Sequence, residues 1–152
     1  MNLPGRRGFL SMLAGFSAGW LLPVRRASAA IDSLAPLASK ITGGAPLREG
    51  KVTLEIPRLA DNGNSVPLRI VVDSPMTPAN HVRSLTLLSE KNPRPLMAMF
   101  HLGPNAGRPE LVTRVRIATS QRVLVIAALS DGTYWSGTAE VEVTESACLD
   151  AS

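Results

Sequence analysis

Apolar and polar residues alternate with a period of two along most of the chain, after one short stretch at helical spacing. Leu34, Leu37, Ala38 and Ile41 recur at the interval of an amphipathic helix over residues 31–42, with Asp32 or Ser33 as candidate N-cap and Gly43-Gly44 as its stop. Pro36 falls within the first turn or so, where a missing N–H costs little. From Lys51 the period changes. Val52, Leu54 and Ile56 alternate with Lys51, Thr53 and Glu55, and the turn signal Asp61-Asn62-Gly63-Asn64 leads to Val66, Leu68, Ile70 and Val72 in the same alternation. A third apolar segment covers residues 81–90, and Asn92-Pro93-Arg94-Pro95 breaks it.

Leu96, Ala98, Phe100 and Leu102 then form an inward set against Met97, Met99 and His101, so the two methionines are expected to make an apolar patch on the outer face. Leu111, Thr113, Val115 and Ile117 face one way while Val112, Arg114 and Arg116 face the other; the two arginines read as solvated strand charges. Residues 123–129 are almost wholly apolar, which predicts a strand covered on both faces, by a partner or by the N-terminal helix. Asp131-Gly132 makes a tight hairpin into a last strand, where Trp135, Gly137, Ala139, Val141 and Val143 alternate with polar neighbours; Trp135 is expected in the core.

Seven strands spaced roughly 8–14 residues apart, with no intervening helix, predict an all-β fold. The expected architecture is an immunoglobulin-like antiparallel sandwich with a short N-terminal helix. No Cys pair is available to pin the sheets, so the fold depends on burial. The expected organisation is a signal over 1–29, helix and linker over 30–49, the sandwich over 50–144 and a flexible C-terminal arm over 145–152.

The formal charge of +4 suggests a polyanion partner until the charges are located. Arg6, Arg7, Arg25 and Arg26 lie in the first 30 positions, which hold no acidic residue; from Ile31 onward 12 basic residues face 12 acidic ones. The basicity therefore belongs to the leader, and no nucleic-acid partner is expected. That leader has a basic start, an apolar run over 9–24 broken by Gly15, Gly19 and Pro23, and the small-residue stretch Ala27-Ser28-Ala29-Ala30. The run is shorter than the roughly 20 residues a spanning helix needs. Arg6-Arg7 followed by Gly8-Phe9-Leu10 resembles the twin-arginine consensus, with cleavage expected after Ala29. A periplasmic protein, exported folded and free of the membrane once the signal is removed, is the expectation. Export in the folded state suits a cofactor or a partner picked up first. A Gly-rich phosphate loop and a Cys-x-x-Cys pair are both missing from the sequence, which favours the partner and predicts neither cofactor nor metal.

Cys148 is the sole cysteine, placed beyond the last expected strand among residues with no apolar pattern to carry it into a core. A catalytic cysteine needs a base. The only histidines, His81 and His101, lie far back in the chain at strand positions. A terminal thiol on an arm suits another use, carrying a covalently attached group to other proteins. The other reading is an exported binding or structural module whose cysteine forms an interchain disulfide or stays idle. A stand-alone enzyme is not expected, since paired catalytic carboxylates, a metal set and a nucleotide loop are all missing from the motifs.

Three stretches sharpen this reading: Leu59-Ala60-Asp61-Asn62-Gly63-Asn64-Ser65-Val66-Pro67-Leu68, Asp73-Ser74-Pro75-Met76-Thr77 and Glu90-Lys91-Asn92-Pro93. With the Arg6-Arg7 leader and the terminal cysteine, they resemble the SoxY family, sulfur-compound carrier subunits of the periplasmic thiosulfate-oxidising (Sox) system. The resemblance implies an immunoglobulin-like domain paired with a SoxZ-like subunit that has no export signal of its own. It implies Cys148 as the covalent attachment site for thiosulfate-derived sulfur. The bound intermediate would be loaded by the SoxAX cytochrome, relieved of sulfate by the SoxB hydrolase and, where present, oxidised by the SoxCD sulfane dehydrogenase, with the carrier catalysing no step. The family's usual ending is Gly-Gly-Cys-Gly-Gly, whereas this chain reads Ser146-Ala147-Cys148-Leu149-Asp150. Ala147 and Leu149 make such an arm stiffer and wider, and Asp150 disfavours the thiolate.

Overall fold

The computed structural model of the chain describes residues 33–146. Helix α1 (Ala35–Thr42) is shorter at its start than the spacing predicts, because Leu34 is its N-cap and no side chain caps it. Gly43, at φ 62°, closes the helix in the left-handed conformation that lacks a steric cost only for glycine. Nine strands follow: β1 (Leu47–Glu49), β2 (Val52–Glu55), β3 (Leu59–Asn62), β4 (Val66–Val72), β5 (Val82–Ser89), β6 (Leu96–His101), β7 (Glu110–Val115), β8 (Gln121–Leu129) and β9 (Tyr134–Glu145). Seven match the alternating segments. The other two, β1 and β3, fall where a linker and a turn approach were expected, and each is too short to show a period.

The strands form two facing sheets. The larger runs β1-β9-β8-β5-β6, with β3 also on β9, and the smaller runs β2-β4-β7. Neighbours are antiparallel except at β9, where β1 pairs with Tyr134, Trp135 and Ser136, and β3 pairs farther along with Glu142, Val143 and Glu145, both parallel. With β8 on its other side from Gln121↔Val141 to Ala128↔Tyr134, β9 is laddered on at least one edge along its length and on both from Tyr134 to Ser136.

Residues 123–129 are covered on both faces, as their apolar run predicts. Val125, Ala127 and Leu129 join Leu68, Ile70, Val72, Leu85 and Leu87 between the sheets. Leu124 and Ile126 point the other way and are covered, with Leu88, by Leu34 and Ala38 of the helix segment. Burying each such side chain contributes about 1.5–3 kcal/mol, so the helix completes the larger sheet's outer face. Trp135 packs against the main core, half-buried, with Arg48 and Lys51 over its ring at 5.7 and 4.9 Å from the centroid.

The expected methionine patch is only half correct. Between β5 and β6 the register slips, with Leu87 facing Ala98 and Leu88 facing Leu96, so Met97 is the extra residue of a bulge. The slip changes the parity of the strand: Met97 packs against the core alongside Phe100, and Met99 alone of the pair stands exposed.

The smaller sheet is tied on its outer face by one guanidinium. Arg69 on β4 donates from Nε to Glu110 on β7 at 2.8 Å and from Nη1 to Glu55 on β2 at 3.0 Å. The hydrogen bond and charge of Arg69 hold the Glu110 carboxyl below the usual carboxylate range. A depressed folded pKa contributes stability above the unfolded value, about 4.3 for Glu, and that stability is lost as pH falls through the folded value. Melting temperature should therefore fall between about pH 5 and pH 3, less steeply in Glu110→Gln than in the natural chain. Equal slopes in the two proteins would exclude this pairing as a source of acid sensitivity.

At the flank where β2 meets β9, backbone approaches backbone. A Cβ added at Gly137 would lie 2.6 Å from the carbonyl oxygen of Val52, which cannot rotate away as a side chain can. Gly137→Ala should lower the unfolding free energy by about 1–3 kcal/mol, read from urea denaturation.

Candidate functional site: the root of the C-terminal arm

Cys148, the candidate attachment residue, lies outside the described residues, as does the signal over 1–29. What the structure describes is the strand end that precedes it in the chain, the last residues of β9 up to Ser146, here called the root. Three elements fix it. On one side β3 runs parallel to β9: the Glu142 N–H donates to Arg58 O at 2.7 Å, the Gly63 N–H to Glu145 O at 3.0 Å, and the Thr144 hydroxyl to Asp61 O at 2.9 Å. On the other side Ser120 takes over where β8 stops, its Oγ accepting from the Val143 N–H at 2.9 Å. The turn residue Gly63 also accepts from the Ile117 N–H at 2.7 Å, which joins the two flanking loops beneath the strand end.

A second layer holds Ser120 in place. Asn92, in the β5–β6 turn, accepts at Oδ1 from the Ala118 N–H (2.9 Å) and from Gln121 Nε2 (2.7 Å), and donates from Nδ2 to Arg116 O (2.8 Å). Gln121 accepts in turn from the Lys91 N–H at 2.6 Å, and Lys91 Nζ donates to Ser120 O at 3.0 Å. Gln121 is buried, so its amide must be satisfied inside the protein. Two of the three sequence stretches singled out above, 59–68 and 90–93, thus converge on the root of the arm. The third, 73–77, lies at the far end of the sandwich, where Met76 adopts φ 50° and its sulfur accepts from the Val82 N–H at 3.4 Å.

Charges of both signs surround the root, with Arg58, Arg122 and Lys91 among the carboxylates. Glu140 and Glu142 stand on the exposed face of β9, Glu145 ends the strand, and Asp61 lies alongside in β3. Glu140 bonds Arg122 at 2.6 Å, and that guanidinium, with Arg58 adding to it, holds its carboxyl below the ordinary range. Leu59, 58% exposed, is the apolar member of this surface.

The histidines are not brought to the end of β9. His81 contacts Thr77 O through Nδ1 at 3.2 Å and precedes β5, whereas His101 ends β6 opposite Ser84. Both lie near the β8–β9 hairpin, a strand length of roughly 25 Å from the root. Ser120 and Gln121 were not singled out in the sequence. The only available signal was polar punctuation, Thr119-Ser120-Gln121, between two apolar runs. Among the described residues no group of three or more His, Cys, Asp or Glu is placed to hold a metal, and no helix is long and apolar enough to cross a membrane.

Ser120→Ala should remove the acceptor for the Val143 N–H at a cost of about 1 kcal/mol, and Asn92→Ala about 1–3 kcal/mol because it orphans buried partners. Hydrogen exchange should show lost protection at Val143 in both, with the Val125 amide in mid-sheet unchanged. Retained protection at Val143 would show that the two side chains do not hold the strand end.

In comparisons with known proteins, no curated sequence matches the chain. The sulfur carrier protein SoxY from Chlorobium limicola f thiosulfatophilum is similar in fold, with 23% identity and TM-score 0.62 over 74% of this chain and 92% of that one. Superoxide reductase (neelaredoxin) from Ignicoccus hospitalis shares the sandwich at 17% identity and TM-score 0.56, over 62% of this chain and 80% of that one. The superoxide reductase from Nanoarchaeum equitans does so at 14% identity and TM-score 0.53, over 63% and 100%. At these identities the likenesses establish the fold alone. The family described as sulfur oxidation protein SoxY matches residues 38–148, a span that covers the end of the helix, both sheets, the clamped strand end and the cysteine position. The chain belongs to the SoxY family.

Proposed function

We propose that this protein is a periplasmic carrier that binds thiosulfate-derived sulfur covalently on Cys148 and presents it in turn to sulfur-oxidising enzymes. Membership of the SoxY family carries this reading, together with the placing of its sole cysteine three residues beyond a strand end held by two loops. Three residues let the Cys148 Cα lie at most about 11 Å from that of Glu145. The sandwich supplies a fixed base, and the sulfur can enter a pocket on another protein.

The loading step joins the Cys148 thiolate to the outer sulfur of thiosulfate. An S–S bond forms and two electrons leave to a cytochrome of the SoxAX type. A SoxB-type hydrolase then adds water at the sulfonate sulfur, releasing sulfate and two protons and leaving a persulfide on the carrier. Further oxidation of that persulfide belongs to a SoxCD-type dehydrogenase. The carrier holds the intermediate and catalyses none of these steps. A free thiol in water has a pKa of about 8.5, so only a few per cent is ionised near pH 7, and a carboxylate two residues away at Asp150 disfavours the thiolate. Loading should therefore speed up as pH rises from about 6.5 toward 8.5. Residues 1–29 act as a twin-arginine signal, and a SoxZ-like subunit without a signal crosses on the folded complex.

Mass spectrometry of the protein purified without reductant from a thiosulfate-oxidising host should show adducts that map to Cys148 and vanish on reduction. A bare thiol or a clean disulfide dimer would instead mark a binding or structural module. Cys148→Ala should abolish turnover in a reconstituted thiosulfate-oxidation assay, and unchanged turnover would remove the carrier role.

A further inference from the structure

The turn after β3 carries chemistry that sulfur transfer does not use. Asn62-Gly63 is the only Asn-Gly pair in the chain, with Asn62 exposed and Gly63 buried. Asparagine amides are among the thermally labile groups of proteins. Glycine as the next residue makes them more so, because its nitrogen approaches the side-chain carbonyl carbon with no Cβ in the way and with the least restricted backbone.

In the folded chain both reacting groups are held. The Gly63 N–H donates to Glu145 O at 3.0 Å, so the nitrogen that would attack is engaged in joining β3 to β9. The Asn62 carboxamide is turned forward, its Oδ1 accepting from the Asn64 N–H at 2.8 Å and from Asn64 Nδ2 at 3.0 Å. Gly63 O accepts from the N–H of Ile117, a fully buried residue, at 2.7 Å. The peptide units on both sides of Gly63 are thus pinned to different parts of the fold. Ring closure needs rotation about the Asn62 Cα–C bond, out of the extended conformation in which Asn62 pairs with Glu145. That rotation requires the end of β3 to come away.

We propose that Asn62 is a covalent modification site, a deamidation site that is silent while the end of β3 is clamped to β9 and reacts when that end opens. The Gly63 nitrogen, its proton removed by hydroxide, attacks Asn62 Cγ and closes a succinimide ring. The C–N bond of the carboxamide breaks, and its nitrogen takes up a proton and leaves as ammonia. Water then opens the ring, giving aspartate where it adds at the side-chain carbonyl and isoaspartate where it adds at the main-chain one. No electrons are transferred. Either product adds a negative charge beside Asp61 and opposite Glu145. Isoaspartate also lengthens the main chain by a methylene just where Gly63 must meet both Glu145 and Ile117, so β3 cannot regain its register. Hydrolysis makes the change one-way, and the product accumulates with the time that the strand end spends open.

The rate in the folded protein is then the rate of the open chain scaled by the fraction of time open. The bonds that set this fraction lie on both sides of β9. The Glu142 N–H to Arg58 O and the Thr144 hydroxyl to Asp61 O hold β3, and Ser120 Oγ holds the Val143 N–H from the other side. Thr144 is exposed and bonds Asp61 O, so its hydroxyl can be removed without changing Asn62 or Gly63.

The test ages the purified protein at mildly alkaline pH and follows ammonia loss at Asn62 by peptide mass spectrometry, with isoaspartate read by enzymatic methylation. Asn62 should react roughly tenfold or more slowly in the folded protein than in the same protein held in urea. Thr144→Val and Ser120→Ala should each speed the folded reaction by roughly fivefold, the effect of about one hydrogen bond, and the exchange of the Gly63 amide should rise by a similar factor. Asn62→Gln, which can close only a larger ring, should remove the signal. Unchanged melting temperatures confirm that the variants are folded. Equal rates in folded and unfolded protein would show that the strand end protects nothing. A slow folded reaction that neither Thr144→Val nor Ser120→Ala accelerates would overturn the clamp as its gate, and earlier reaction at Asn64 than at Asn62 would overturn the site.

Discussion

The fold depends on the occupation of both edges of β9. That strand takes β8 along one side and, in succession, β1 and β3 along the other, so the segment before the domain and the approach to the first hairpin both end on the last strand. These pairings join residues about 80 or more positions apart, and parallel ladders of three and four residues would not persist by themselves. They persist because the partner strand is already rigid. Large closure entropy is offset here by a strand whose side chains are anchored between the sheets at Val141 and whose backbone lies against Val52 at Gly137.

The same constraint gives the two ends of the sandwich different characters. At the hairpin end β9 begins beside a cation-covered tryptophan and Asp131, whose carboxyl is held below its usual range by hydrogen bonds from Thr133. At the other end the ladder to β8 stops at Gln121 and Val141, and side chains take over. The strand would fray there without β3 and Ser120. The chain therefore places hydrogen-bonding side chains where the sheet ladder ends, which is also where the arm begins.

Much of the fold could be read along the chain because half-buried strands alternate: 66–72 and 111–117 face the core as their pattern says, with Ile117 fully buried. β1 and β3 were illegible because three or four residues carry no period and their partner lies far away in sequence. The pattern at Met97 is misleading because a bulge changes side-chain parity, and alternation along β6 alone does not mark where its register with β5 slips. For the site, the lone cysteine was conspicuous from composition. Its base was not: Asn92, Ser120 and Gln121 are ordinary loop residues until the turns that carry them are brought against one strand end.

The clamp at that strand end is made of amides, two hydroxyls and main-chain groups, with a single ammonium, on Lys91, as its only ionic member. The amides, hydroxyls and main-chain groups among them have no proton to gain or lose between mild acid and the alkaline range where lysines begin to titrate. Carboxylates outside the clamp, Glu110 on the small sheet and Glu140 on the exposed face of β9, give up their bonds as acidity rises. The end of β9 is thus fixed largely by groups that carry no titrating proton, while Glu140 on the face beside it loses its bond to Arg122 as acidity rises.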